Sequence, residues 1–343
     1  MSRQTAAGPQ VLTGRIEKLM NSVLGRKYDI LERIEEDFDS GSSGSDVVFL
    51  GDSTVLRVSN EDRDRRSTAE MLAAALPAET RVLELSHGAY HIGVYYHIIS
   101  TFRVTRKRPR LIVIPINMRC FSPQWYLRPS WEFRAEIRLL RRYYSGKGRR
   151  LRYRKAEVDG GYEKTEVQYP LTNLRTIGEF EALRVNKPDS STQQERRRRE
   201  LFIYFFLHPL SPGHPFLVKL RETVELARSL RIGVLFYLTP INVEAALRSV
   251  GGEFERLFSM NVKVVKDALA EQKCVFVNDA AGAENDLAGR SVACLDYSQS
   301  LGSDCFFHAA SVAEHLNEKG RRFLSDGIRP VALKLLEPDG SAV

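Results

Sequence analysis

Between residues 11 and 36, apolar residues recur at three- and four-residue steps, through Leu12, Ile16, Leu19, Met20, Val23, Leu24, Ile30, Leu31 and Ile34. That spacing predicts an amphipathic helix. Residues 37–46 are rich in Ser, Gly and Asp and read as a loop. Val47, Val48, Phe49 and Leu50 then form an unbroken apolar run, as a parallel strand buried on both faces requires. Gly51, Asp52 and Ser53 end it abruptly. Helical spacing resumes through Ala69, Met71, Leu72, Ala75 and Leu76. Residues 80–85 predict a second strand, 88–102 a helix through Val94, Tyr95, Ile98 and Ile99, and 111–114 a third strand running out at Asn117.

Strand, loop and helix thus alternate three times, a rhythm that argues for βαβ units and a parallel sheet. In such sheets ligands bind beyond the carboxyl ends of the strands. Ser53, Gly88 and Asn117 each fall just after a predicted strand. The rhythm breaks over 121–200, which holds Trp125, Trp131, a basic run and a polar stretch, and reads as an insertion able to cap a site. It resumes with a helix over 217–230, a strand over 232–238, a helix over 253–271, a last strand over 273–277 and a final helix over 317–324. The expected division is an N-terminal helix and linker (1–43), an α/β domain (44–120 and 201–330), the inserted cap (121–200) and a C-terminal tail (331–343).

Composition narrows the classes. The chain has 343 residues, of which 43% are apolar, enough for a core. Lysine and arginine outnumber acids by 51 to 43, and the pI is about 9.3. The excess is local: Arg141, Arg142, Lys147, Arg149, Arg150, Arg152, Arg154 and Lys155 crowd one stretch, and Arg196 to Arg199 another. These are solvated faces, or a patch for an anionic substrate or an acidic carrier protein. No nucleic-acid-binding signature accompanies them, so no nucleic acid is expected as a partner. Cys120, Cys274, Cys294 and Cys305 lack metal or redox spacing and read as reduced thiols. Cys305, His308 and His315 make an irregular ligand set without a fourth member, so no metal or cofactor is expected. There is neither a signal-type apolar segment at the start nor a run of roughly 18 apolar residues. A cytoplasmic protein without a transmembrane segment is expected.

The run from Val47 to Ser53 resembles the first signature block of the SGNH (GDSL-type) hydrolases, a strand followed by Gly-Asp-Ser. Glu314, His315, Leu316 and Asn317, with Gly320 beyond, resemble their last block. Gly88 and Asn117 stand where that family places its oxyanion-hole glycine and asparagine. The likeness covers roughly 44–120 and 230–330, and Pro115 to Asn117 with His315 to Asn317 draw it toward the branch acting on acyl groups of envelope or exopolysaccharide glycans. It implies a three-layer α/β/α sandwich with a mainly parallel sheet. It also implies Ser53 as nucleophile, His315 as base, and an oxyanion hole from Ser53, Gly88 and Asn117. Asp52, Arg119 and Trp125 are the candidate substrate-binding residues.

The residue types suit acyl transfer. A serine hydroxyl needs a base to take its proton, and imidazole titrates near neutrality. Competing readings remain: Ser53 as a helix N-cap, His315 as a helix-start residue, Asn117 as a plain turn residue, and Ala89 in place of Gly88. The sequence also departs from the pattern. The family's acid lies three residues before the histidine, and here that position is Val312. Asp304, from eleven residues upstream, is the candidate replacement; Glu314 or a backbone carbonyl are others. The sequence therefore points to a serine esterase or acyltransferase acting through an acyl-Ser53 intermediate on a small acylated metabolite or glycan. The alternative is a non-catalytic binding protein on the same scaffold.

Overall fold

A computed structural model of the chain describes residues 30–40, 44–127, 131–147, 161–186, 188–277, 287 and 291–337. Most of the helix predicted over 11–36 lies outside these residues, as do Arg149, Arg150, Arg152, Arg154, Lys155 and Asp279. From Ile30 the chain is helical and passes into a π-turn, Glu36–Ser40, where the sequence predicts a loop.

Six strands form one sheet in the order β2-β1-β3-β4-β6-β5. They are β1 (Val47–Gly51), β2 (Val82–Ser86), β3 (Leu111–Ile116), β4 (Gly233–Leu238), β5 (Val275–Val277) and β6 (Val292–Asp296). Every pairing is parallel. Alternation along each strand then builds two cores, because successive side chains point to opposite faces. Val48, Leu50, Ile112, Ile114, Val234 and Phe236 face one layer with the helices Ile92–Thr101, Pro215–Ser229 and Glu253–Ala270. Val47, Phe49, Leu111, Val113, Leu235 and Tyr237 face the other, with Thr68–Ala75 and Glu318–Leu336. The result is the expected three-layer α/β/α sandwich. Among the described residues no helix is long and apolar enough to cross a membrane.

The structure corrects the sequence reading in three places. Strand β6 was not foreseen: Ala293 and Cys294 give its short run little strand propensity, yet it lies between β4 and β5 and is almost wholly buried. The last helix begins close to the predicted start but runs to Leu336, through Pro330 and into the expected tail. Ile328, Val331, Ala332 and Leu336 continue its buried face, and their packing outweighs the one hydrogen bond the proline removes. The inserted region holds helices Trp131–Tyr144 and Ile177–Val185, while Ser191–Phe206 crosses position 200. Leu140, Ile177, Phe180 and Phe202 pack in the same core as β1 and β3.

Gly51 closes β1 against a crowded neighbourhood. A Cβ there would stand 2.2 Å from Ser86 Oγ and 2.8 Å from Val55 Cβ. Its role is to leave space for those neighbours. Gly51→Ala is expected to lower the unfolding free energy by about 1–3 kcal/mol, the usual cost of overpacking. Denaturant titration checks this, and an unchanged midpoint would contradict it.

Candidate active site

The chain first adds β2 on one side of β1, then β3 on the other. This is a topological switch point, and it opens a crevice at the strands' carboxyl ends. Register fixes what lies there. Gly51 pairs with Ser86, and Phe49 with Val113. Carried past the strand ends, the two registers set Ser53 in one row with Gly88 and Asn117.

Ser53 begins the short helix Ser53–Leu56, and Asp52 is its N-cap. Asp52 Oδ1 accepts from the Thr54 N–H at 2.7 Å, and its Oδ2 accepts from Asn117 Nδ2 at 3.2 Å. Asn117 Oδ1 in turn accepts from the Arg119 N–H at 3.0 Å. Asp52 is only 3% exposed, so this candidate substrate-binding residue instead ties the serine turn to Asn117. Among the described residues no acceptor takes the backbone N–H of Ser53 or of Gly88. Helix N-termini leave such donors free. A Cβ on Gly88 would meet open space, and its neighbour Ala89 holds a left-handed φ of 72°. The left-handed residue turns the chain sharply just after Gly88.

His315 comes from the loop before the last helix. Its Nε2 lies 3.2 Å from Ser53 Oγ, the nucleophile–base contact expected. A short antiparallel arrangement holds the loop. Phe307 N–H donates to the His315 carbonyl at 3.0 Å, and Asn317 N–H to the Cys305 carbonyl at 3.1 Å. Asn317 is the N-cap of the last helix, and its Nδ2 donates to the carbonyls of Asp304 (2.7 Å) and Phe306 (3.2 Å). The Phe307 ring flanks the imidazole at 5.6 Å.

Arg321, fully buried, fastens this loop to the segment that follows the serine. Its guanidinium pairs with Asp62 at 2.7 Å and donates to the carbonyls of Asp64 (2.6 Å), Arg66 (2.9 Å) and Leu316 (3.0 Å). An arginine supplies five donors in a fixed fork, so one side chain can bind both segments. The sequence reading missed it; it sits on an amphipathic helix and carries no motif.

Asp304 is not brought to the imidazole. Its side chain is 65% exposed and forms an ion pair with Lys319. Among the described residues no carboxylate is hydrogen-bonded to His315. Val312 packs against the core in the position where an acid would stand. The charged groups acting on the imidazole are cations: burial first, then Arg119 and Arg57, hold its pKa down to about 4. Glu314 points away into the interior, fully buried, with Oε2 3.2 Å from Arg119 Nη2. The contact is a charge pairing without an aligned hydrogen bond, since both Glu314 oxygens and Arg119 Nε lack partners. Burial pushes the Glu314 carboxyl up to about 7, against the opposing pull of Arg119.

Arg119 and Trp125 do come together. The guanidinium lies 5.7 Å from the Trp125 ring and 5.4 Å from Phe205, which brings the inserted region onto the site. The second basic stretch is partly structural: Arg197 donates to the carbonyls of Leu183 and Arg184, and Arg199 to that of Leu171. The four cysteines are free and buried.

No family model matches the chain, and no curated protein is similar to it. Solved structures with a likeness include an acetylxylan esterase from Geobacillus stearothermophilus, 13% identical, with a TM-score of 0.36 over 86% of this chain and 95% of that one. A catalytic mutant of the same esterase is 14% identical, with a TM-score of 0.36 over 86% of this chain and 94% of that one. A mutant acetyl-xylooligosaccharide esterase is 12% identical, with a TM-score of 0.38 over 88% and 98%.

Glu314 holds its proton more tightly folded, at about 7, than at the ordinary 4.5. The stability it contributes is therefore fully present below the ordinary value and is lost as pH rises through the folded one. Glu314→Gln removes this dependence. Between pH 5 and 8 the variant is expected to gain on the wild type by on the order of 2–3 kcal/mol. Denaturant midpoints of both proteins across that range check it; parallel pH profiles would contradict it.

Proposed function

We propose that the protein is a serine esterase or acyltransferase working through an acyl-Ser53 intermediate on a small acylated metabolite or glycan. The 3.2 Å approach of His315 Nε2 to Ser53 Oγ carries the reading. As Ser53 Oγ attacks the ester carbonyl carbon, its proton passes to Nε2. The resulting oxyanion is met by the N–H groups of Ser53 and Gly88 and by Asn117 Nδ2, on which both Asp52 and Glu314 draw in the resting site. The carbon–oxygen bond to the leaving alcohol breaks, and the imidazolium returns its proton to that alcohol. Water, or an acceptor hydroxyl in an acyltransferase, then repeats the sequence in reverse and frees Ser53. Arg119 and Trp125 flank the position of the bound group, as proposed substrate contacts.

His315 works in this scheme as half of a dyad, oriented by its backbone ladder instead of by Asp304. The lack of a carboxylate partner also favours a second reading, a non-catalytic binding protein. A fluorophosphonate separates the two. Intact mass is expected to show one adduct on the wild type and none on Ser53→Ala. His315→Ala is expected to slow labelling by about 100-fold or more, within the usual contribution of a general base. A wild type that stays unlabelled, or an adduct that persists in Ser53→Ala, would overturn the catalytic reading.

A further inference from the structure

His315 has no carboxylate to orient it, yet both of its neighbours in the chain are held by arginines. On the C-terminal side, Arg321 Nη1 donates to the Leu316 carbonyl at 3.0 Å, which ties the loop to the segment after Ser53. On the N-terminal side, Glu314 Oε2 meets Arg119 Nη2 at 3.2 Å. This second tie runs to the other half of the site. The Arg119 N–H donates to Asn117 Oδ1 at 3.0 Å, and Asn117 Nδ2 donates to Asp52 Oδ2 at 3.2 Å. Asp52 Oδ1 caps the serine turn through the Thr54 N–H at 2.7 Å. One chain of contacts thus runs from the residue before His315, through Arg119 and Asn117, to the turn that carries Ser53.

Stability alone does not account for the pair. Glu314 is fully buried, and neither of its oxygens has an aligned hydrogen bond. A buried ion pair of that kind adds little stability, because desolvation offsets most of the attraction. Its effect is on position. Trp125 and Phe205, at 5.7 and 5.4 Å, confine the Arg119 guanidinium. A confined arginine that grips the residue before the base, and whose own N–H orients Asn117, fixes where the base stands relative to that amide.

We infer that Glu314 is a positioning residue: through Arg119 it sets the His315 imidazole against the Asn117 amide, and so takes over the orienting work of the absent triad acid. Glu314 touches no reacting atom. The tie is made by charge, so it needs Glu314 ionised. Burial raises that carboxyl to about 7; Asp52 adds to the rise, while Arg119 and the Asn117 amide oppose it. Cys120 also lies within its influence, as a buried thiol pushed well up and therefore neutral. His315 itself is held down to about 4. The tie therefore tightens as pH rises through Glu314's range, while the imidazole stays neutral. For its effect on rate the inference rests on the serine-enzyme reading, but the tie itself can be observed without turnover.

Two measurements on the full-length protein decide it. In the first, the rate of fluorophosphonate labelling is followed across neutral pH. The wild type is expected to label about tenfold or more faster on the alkaline side, the scale on which a misplaced catalytic group slows a reaction. Glu314→Gln is expected to stay at the slow level without the rise, and Glu314→Asp, which keeps the charge, to retain it. Arg119→Gln is expected to be slow as well, and the double variant no slower than either single one, since both remove the same tie. In the second, the His315 ring signals are followed by NMR over the same range. The wild type is expected to show an inflection at Glu314's pKa, lost in Glu314→Gln and moved to higher pH in Arg119→Gln. A flat wild-type labelling profile, or a rise that Glu314→Gln shares, would overturn the positioning role and leave the esterase reading standing. An unlabelled wild type whose His315 signals keep the Glu314- and Arg119-dependent inflection would uphold the tie and remove the esterase reading. The wild-type profile and its NMR inflection need no variant to fold.

Discussion

Parallel register is the constraint on which the site depends. Because β1 pairs with β2 and β3 in fixed alignment, the strands end together, and Ser53, Gly88 and Asn117 all follow those ends. A slip of one residue would send each strand's side chains into the opposite core, where the partners are wrong in size and shape. Gly51 makes the alignment possible by letting β1 end hard against Ser86 and Val55. Asp52 then locks the row's geometry, with one oxygen on the serine turn and the other on Asn117. A buried carboxylate hydrogen-bonded through both oxygens resists rotation, so the Asp52 side chain is a fixed link between the serine turn and Asn117.

The second half of the site is held independently and then fastened to the first. His315 hangs from a loop stitched by the 305–307 and 315–317 backbone contacts, and Arg321 ties that loop to the segment after Ser53. The imidazole is thus placed without a carboxylate. What the backbone cannot supply is charge. Arg57 and Arg119 make the surroundings positive, and Glu314, although adjacent in sequence, faces inward toward Arg119. Orientation and electrostatic support, which one aspartate provides in an ordinary triad, are separated here.

The fold was largely legible because most of its strands are continuous apolar runs closed by turn residues. Val47 to Leu50 before Gly51 is the clearest case. Strand β6 escaped because Ala293 and Cys294 are small, and only the sheet's demand for a filler between β4 and β5 makes a strand of them. The last helix was read only as far as residue 324, because Ser325, Asp326 and Gly327 interrupt its apolar spacing, while Ile328, Val331, Ala332 and Leu336 continue its buried face. In the site, Ser53, Gly88 and Asn117 were visible as motif residues after strands, and His315 as a motif residue ahead of the last helix. Asp304 was a reasonable candidate on sequence distance alone, but Lys319, two residues after Asn317, holds it at the surface. Arg321 and Arg57 could not be found by pattern: what distinguishes them is which segments and charges the fold brings beside them.

In the proposed reaction, Ser53 and His315 work together without a triad acid. A crystal structure of the phosphonylated protein tests it most directly. The account predicts phosphorus bonded to Ser53 Oγ and one phosphoryl oxygen about 2.7–3.1 Å from the Ser53 and Gly88 amides and from Asn117 Nδ2. An adduct on another residue, or a phosphoryl oxygen turned away from that row, would contradict it.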